Sequence, residues 1–250
     1  MPTQFLYRDN HHQNILLEDF TSGIMVQANQ HVIIHDGHAM LLDPGGHKVY
    51  SGALAELSAH IGTDDLKYIF FSHQDPDIVA AANGWMMITN ATALLSNLWL
   101  RFIMHFGVDD MAADRIEGIP DRGRRIQLNG CELLIIPAHF MHSPGNFQVY
   151  DPVSKILYSG DLGASLGQTY TVVQNFNDHT QYMEGFHKRY IASNHTLRLW
   201  AQMVRQLDIE TIAPQHGAMM VGKETVSQFI DWVETLPCGV DILDHVYQLP

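Results

Sequence analysis

Short apolar runs, each closed by a turn signal, recur along the whole chain. In the first third, Gly23 to Ala28, His31 to His35 and Ala39 to Asp43 read as antiparallel strands separated by Asn29-Gln30 and Asp36-Gly37, since apolar runs bounded by Asn, Asp and Gly are the pattern of hairpins. Val49 to His60 reads as a helix, with Leu54, Leu57 and the following Ile61 on one face. Lys67 to Phe71 reads as a further strand. Asp77 to Trp85 and Ala91 to Phe106 read as helices, the first interrupted at Gly84.

The second half repeats the alternation. Arg125 to Leu128 and Glu132 to Pro137 read as strands across Asn129-Gly130, and Asn146 to Tyr150 and Lys155 to Ser159 as a hairpin across Asp151-Pro152. A long helical region, His179 to Leu207, leads to a strand at Glu210 to Ala213 and a last helix from Gly222 to Leu236. The series runs twice, and each half ends in a helix. That predicts an α/β (α+β) fold, an αββα sandwich of two packed sheets with helices outside, formed as one domain over residues 1–250.

Composition narrows the function classes. With 46% apolar and 16% charged residues the chain reads as an ordinary globular protein, and its net charge of −13 disfavours nucleic acid. The nearest basic stretch, Arg115 to Arg125, places Arg122, Arg124 and Arg125 in a Gly/Pro-containing turn beside acidic residues, so it reads as a solvated loop. Cys131 and Cys238 lie about a hundred residues apart without CxxC spacing, which argues against a disulfide framework. Met1 to Asn14 is polar and has no apolar leader. The most apolar long segment, Ala91 to Phe106, contains Asn97, Arg101 and His105 and is too short to span a bilayer. A cytoplasmic protein without membrane or nucleic-acid partners is expected.

Chemistry concentrates at strand ends. Ser72-His73-Gln74-Asp75-Pro76-Asp77 follows the apolar run Tyr68 to Phe71 and sets an imidazole and two carboxylates at alternate positions. Three more strand ends carry metal-type residues: His142 after Leu133 to Ile136, Asp161 after Ile156 to Tyr158, and His216 after Thr211 to Ala213. Singly, each is as well explained by a turn cap or a packed loop. Together, strand ends of one sandwich can converge on a cleft. His73, Asp75, Asp77, His142, Asp161 and His216 then offer three imidazoles and three carboxylates, enough for two divalent ions sharing one carboxylate. The carboxylates favour harder ions such as iron or manganese over a thiolate-type zinc site.

This ordered set resembles the metallo-β-lactamase fold, and within it the diiron branch. Flavodiiron proteins carry H-x-E-x-D-H at such a strand end, then a later His, a bridging Asp after a short turn, and a final His in a P-x-H-G loop. Here His73-Gln74-Asp75-Pro76-Asp77 lies on the first motif with Asp in place of Glu, and His142-Ser143-Pro144 on the second. Leu157-Tyr158-Ser159-Gly160-Asp161 matches the bridge, and Pro214-Gln215-His216-Gly217 the last. Ile78 stands where the family has a histidine, so a substitute donor such as His139 or Tyr170 is needed or the second metal is held less firmly. No FMN-binding module follows His216 in this chain.

A lactamase-fold diiron domain with His-Gln-Asp-Pro-Asp is similar to the oxygen-binding diiron proteins associated with bacterial chemotaxis, and Phe186 to Ile191 is reminiscent of that group. The resemblance implies two iron ions, with His73, Asp75 and His142 on one, Asp77 and His216 on the other, and Asp161 bridging. It implies a sensor that binds dioxygen reversibly, with a chemotaxis signalling protein as partner; a homodimer stays an open alternative. Three other readings fit the same set. One is an O2 or NO reductase served by a separate electron donor. Another is a zinc-dependent hydrolase, which Asp75 and Ile78 disfavour because such enzymes carry H-x-H-x-D-H. The last is an inert domain with vestigial ligands. Of the remaining residues, Asp43 before Pro44-Gly45-Gly46 is expected to shape a turn, with a contact to a ligand as the alternative. Trp85, Met86, Met87, Met219 and Met220 are expected in the core or lining a pocket, and His11, His12, His60, His105 and His245 as surface or satisfied residues.

Overall fold

Seven strands lie side by side in chain order in the first half of the computed structural model, which describes residues 3–17 and 19–249. Met1 and Pro2 of the polar amino terminus lie outside the described residues. The chain divides into two units, Met1–Ile136 and Pro137–Pro250. In the first, β1 (Gln4–Arg8), β2 (His12–Leu16), β3 (His31–His35) and β4 (His38–Leu42) form an antiparallel meander. From β4 onward the pairing turns parallel, through β5 (Leu66–Phe70), β6 (Thr92–Ser96) and β7 (Ile116–Ile119). Parallel neighbours need crossovers. These are α1 (His47–Ser58), then α2 (Pro76–Val79) with α3 (Ala82–Ile88), then α4 (Leu100–Ile103). A hairpin of β8 (Arg124–Leu128) and β9 (Cys131–Pro137) follows.

Local chemistry sets the two tight turns. Asp36-Gly37 and Asn129-Gly130 all have positive φ, at 42°, 78°, 49° and 96°, the two-residue conformation that matches strand twist and selects Asn-Gly and Asp-Gly. Strand β4 is buried on both faces from Ala39 to Leu42, and so reads as a continuous apolar run without alternation. Ala39 and Leu41, on one of those faces, join Ile69, Phe71, Ile78, Val79 and Trp85 in one apolar core.

Four expectations need correction. Gly23–Ala28 is irregular, with Ile24 fully exposed, and the strands lie instead at β1 and β2. Strand β2 is polar in sequence (His12, Gln13, Asn14), and tertiary pairing with β3 overrides that signal. Within Ala91 to Phe106, residues Thr92–Ser96 form the parallel strand β6; a short apolar run cannot tell a buried strand from a helix. The basic stretch contains strand β7 and the start of β8: Arg122 lies in an exposed turn as expected, whereas Arg124 pairs with Glu117 at 2.9 Å and Arg125 with Glu132 at 2.6 Å. Arg115 instead reaches the carbonyls of Met86, Thr89 and Ala91, satisfying acceptors at and beyond the α3 C-terminus. The long helix predicted to Leu207 breaks at residues 191–193 into α5 (Phe176–Tyr190) and α6 (Asn194–Val204), since Ile191 and Ser193 are extended.

In the second unit β10 (Phe147–Asp151) pairs antiparallel with β11 (Ile156–Gly160), β11 parallel with β12 (Thr211–Pro214), and β12 antiparallel with β13 (Met220–Val221). Helices α5 and α6 cross between β11 and β12, and α7 (Lys223–Thr235) follows β13. On α6 the buried positions Leu197, Trp200, Ala201 and Val204 keep helical spacing, and Trp200 meets Phe229 of α7 edge to face. Each such aliphatic burial contributes about 1.5–3 kcal/mol. The indole N–H of Trp200 donates to Gln148 Oε1 and Gln148 donates to Ser159 O, so the buried polar groups are satisfied in series. Each unit is thus a mixed sheet with flanking helices, as the doubled series predicts. Among the described residues no helix is long and apolar enough to cross a membrane.

Candidate metal centre

Because β4 and β5 are parallel, the loops after them open at the same end of the sheet. Asp43 follows β4 with φ 48°, a left-handed conformation that Asp tolerates. Its carboxylate accepts the backbone N–H of Ser72 at 2.7 Å, and its own N–H donates to Phe70 O at 2.9 Å. Asp43 thus shapes the loop that carries His73. His73 is buried; its Nδ1 lies 3.0 Å from the Ser72 hydroxyl, while Nε2 faces the Asp75 carboxylate at 3.7 Å. Asp75 occupies the N-cap position of α2 with Pro76 behind it, where the fixed φ of proline starts a helix. That turn places Asp77 in the first helical turn, half-buried, and sends Ile78 into the apolar core at 0% exposure.

In the second unit the remaining three candidates come together. Asp161 follows β11 and is buried. Its Oδ2 lies 3.0 Å from His142 Nε2 and its Oδ1 3.5 Å from His216 Nε2, so each oxygen addresses a different imidazole. Two loops after neighbouring parallel strands hold this arrangement. Gln215 N–H donates to Gly160 O, Ser165 N–H to His216 O, and Ala218 N–H to the Ser165 hydroxyl. Gly217 has φ +82° where the loops approach most closely. The donor set suits hard-to-borderline divalent ions: imidazole nitrogens around a carboxylate that can bridge.

The sequence singled out Phe186 to Ile191 as a segment without assigning its residues a role at the site. His187 on α5 is fully buried; its Nε2 accepts Gly163 N–H at 2.9 Å, and Nδ1 faces Met183 O at 2.8 Å. Burial pushes its pKa down to about 4, which keeps the ring neutral and able to accept. Phe186 stacks on Tyr190 at 4.9 Å, and both rings meet His142 edge-on at 6.0 and 5.8 Å. The Phe186–Ile191 segment therefore packs on a candidate ligand; the signal for it in the sequence was its resemblance to the chemotaxis-associated group.

Of the two substitute donors considered for Ile78, Tyr170 places its hydroxyl 2.8 Å from His179 Nδ1, and His139 packs edge-on against Phe147. His179 is fully buried, and burial lowers its pKa to about 4. Trp85, Met86, Met219 and Met220 are core residues as expected, whereas Met87 is exposed. His11, His105 and His245 are at the surface; His12 is buried.

The family described as "ODP family beta lactamase" matches residues 26–217. Among solved structures, the chain is 42% identical to the "peroxy diiron species of chemotaxis sensor ODP", covering 99% of this chain and 100% of that one at a TM-score of 0.89. It is 40% identical to the apo state of chemotaxis sensor ODP from T. denticola, covering 98% and 99% at a TM-score of 0.88. Rubredoxin oxygen:oxidoreductase from the anaerobe Desulfovibrio gigas shares the fold at 13% identity and a TM-score of 0.78, over 92% of this chain and 61% of that one. No curated protein matches. The chain belongs to the ODP family of beta-lactamase-fold proteins.

Proposed function

We propose that the protein is an oxygen sensor, a non-haem diiron protein that binds dioxygen reversibly and reports it to a chemotaxis signalling protein in the cytoplasm. The observation that carries this reading is 42% identity, over nearly the whole chain, to a chemotaxis sensor whose structure holds a peroxy diiron species. A reduced iron pair supplies the electron density that dioxygen binding requires. His73, Asp75 and His142 are assigned to one iron, Asp77 and His216 to the other, and Asp161 to the bridge.

The geometry within each unit supports these roles. Ser72 orients the His73 ring through Nδ1, so that Nε2 is the nitrogen presented beside Asp75. Asp161 shows one oxygen to His142 and the other to His216, as a carboxylate shared by two ions would. Ile78, buried among apolar side chains, contributes no donor at the position where flavodiiron proteins have histidine, and it keeps that edge dry. Fewer donors leave coordination room for a small ligand. The test is optical. Iron-loaded protein, reduced under anaerobic conditions, is expected to change its absorption when oxygen is admitted and to revert when oxygen is removed. No oxygen-dependent change, or steady consumption of oxygen with an added electron donor, refutes reversible sensing.

A further inference from the structure

A second cluster of metal-type donors lies at the other end of the first sheet. His12 and His35 face each other as a directly paired position of the antiparallel strands β2 and β3. Their Nδ1 atoms are 3.1 Å apart, and their rings are tilted at a centroid distance of 5.3 Å. Cys131, the first residue of β9, brings a buried thiol that is not in a disulfide. One donor atom from each of the three lies within 4.8 Å of the other two. His35 closes β3 just before β4 begins, whereas the His73 loop follows the C-terminal end of β5, which runs parallel to β4. The two places are therefore distinct.

We propose that His12, His35 and Cys131 form a second metal site, for a single zinc-class ion. In tetrahedral zinc two imidazole nitrogens stand about 3.3 Å apart, and a nitrogen and a thiolate sulfur about 3.6 Å, given bonds near 2.05 and 2.3 Å. The histidine pair already has that spacing, and the thiol reaches it by closing no more than about 1 Å, within the reach of a side-chain adjustment. A lone histidine pair is satisfied by one shared hydrogen. The converging thiol adds a soft donor, and imidazole with thiolate selects zinc over the harder ions favoured by carboxylates.

Two neighbours act as a supporting shell. Asp36 Oδ2 lies 3.6 Å from His35 Nε2, the ring nitrogen turned away from His12. At that distance it is not yet a hydrogen bond, and the other carboxylate oxygen holds His11 Nδ1 at 2.7 Å; a closure of about 0.5 Å would let the carboxylate fix a ligating His35 ring. Asn129 Nδ2 donates to Asp36 O at 2.9 Å and holds the tip of the β8–β9 hairpin, and with it Cys131, against the β3–β4 turn. The ion would staple that hairpin to the sheet, with the fourth position open to water on the partly exposed His35 side.

Anaerobic titration of chelator-treated protein with Co2+, followed by Zn2+, tests this. Once the positions assigned to iron are filled, a further single equivalent of Co2+ is expected to produce a thiolate-to-cobalt charge-transfer band that Zn2+ abolishes by displacement. The six residues assigned to iron include no thiolate, so the band reports this cluster alone and persists in Asp161→Ala protein. Cys131→Ser is expected to remove it and Cys238→Ala to keep it. Asp36→Asn, which keeps a residue tolerant of φ 42°, is expected to weaken Co2+ binding about 10–100-fold. His35→Gln, at a partly exposed position, gives the same loss of the band should Cys131→Ser fail to fold. Absence of a sulfur band in the natural sequence, or a band that survives Cys131→Ser, overturns the site.

Discussion

Gly217→Ala tests how tightly the loop pairing holds Asp161 and His216. A Cβ at Gly217 would lie 2.1 Å from Ser165 Oγ, 2.3 Å from Ser165 O and 2.6 Å from Gln168 Nε2. The hydroxyl and the amide can rotate away. The carbonyl cannot, because the Ser165 backbone is tied through its N–H to His216 O. Two costs combine. An L side chain in the left-handed region costs about 1–2 kcal/mol, and forcing atoms into a packed site about 1–3 kcal/mol. Gly217→Ala should therefore destabilise by about 2–5 kcal/mol, a large part of the ~5–15 kcal/mol that domains possess. Urea unfolding of the metal-free protein measures this as a lowered midpoint at constant slope, and iron content after reconstitution should fall with it. Adding Ser165→Ala should not restore stability, since the carbonyl remains. A loss below about 0.5 kcal/mol, the range of ordinary surface substitutions, together with full iron occupancy, refutes the reasoning.

Asp161→Asn keeps the shape of the proposed bridge and removes its charge; iron per chain, by elemental analysis, should drop well below that of the parent, and full occupancy would remove Asp161 from the bridge. Asp43→Ala deletes a buried charge-assisted acceptor for Ser72 N–H and should cost about 1–3 kcal/mol in urea unfolding, whereas Asp43→Asn, which still accepts and tolerates φ 48°, should lose much less; equal losses contradict the hydrogen-bond account. His31 and His187 are buried with pKa values pushed to about 3 and about 4, so both stay neutral in the native state while the unfolded chain takes up protons below about 6.5. Their effect on stability is nil above that pH. Stability then falls as the pH is lowered, by about 1.4 kcal/mol per unit for each ring until its native pKa is reached. Replacing His187 with Gln should flatten the dependence of the urea midpoint between pH 6.5 and about 4; an unchanged slope contradicts it.

The strand-end candidates were legible because their signal is local: a His or Asp within a few residues of an apolar run, as with His73 two residues after Phe71 or His216 three residues after Ala213. The same holds for Asp36-Gly37 and Asn129-Gly130, where two residues dictate the turn. What stayed hidden depends on partners distant in sequence. Thr92–Ser96 is a strand because β5 and β7 lie on either side of it; nothing within its five residues decides against a helix. Polar β2 is a strand because β3 pairs with it. The role of His187 needs Gly163, and that of Cys131 needs two histidines from the other end of its unit's sequence.

Helix α5 rests on the loops of the second unit that carry the candidate ligands at two points, through His187 on Gly163 and through Phe186 and Tyr190 on His142. Packed interiors compress little and transmit strain, so a shift of the Asp161 loop or of the His142 ring would be felt by the helix. Tyr190 ends that helix and is 57% exposed. The packing around the buried carboxylate thus continues to the surface, to a ring another molecule can touch.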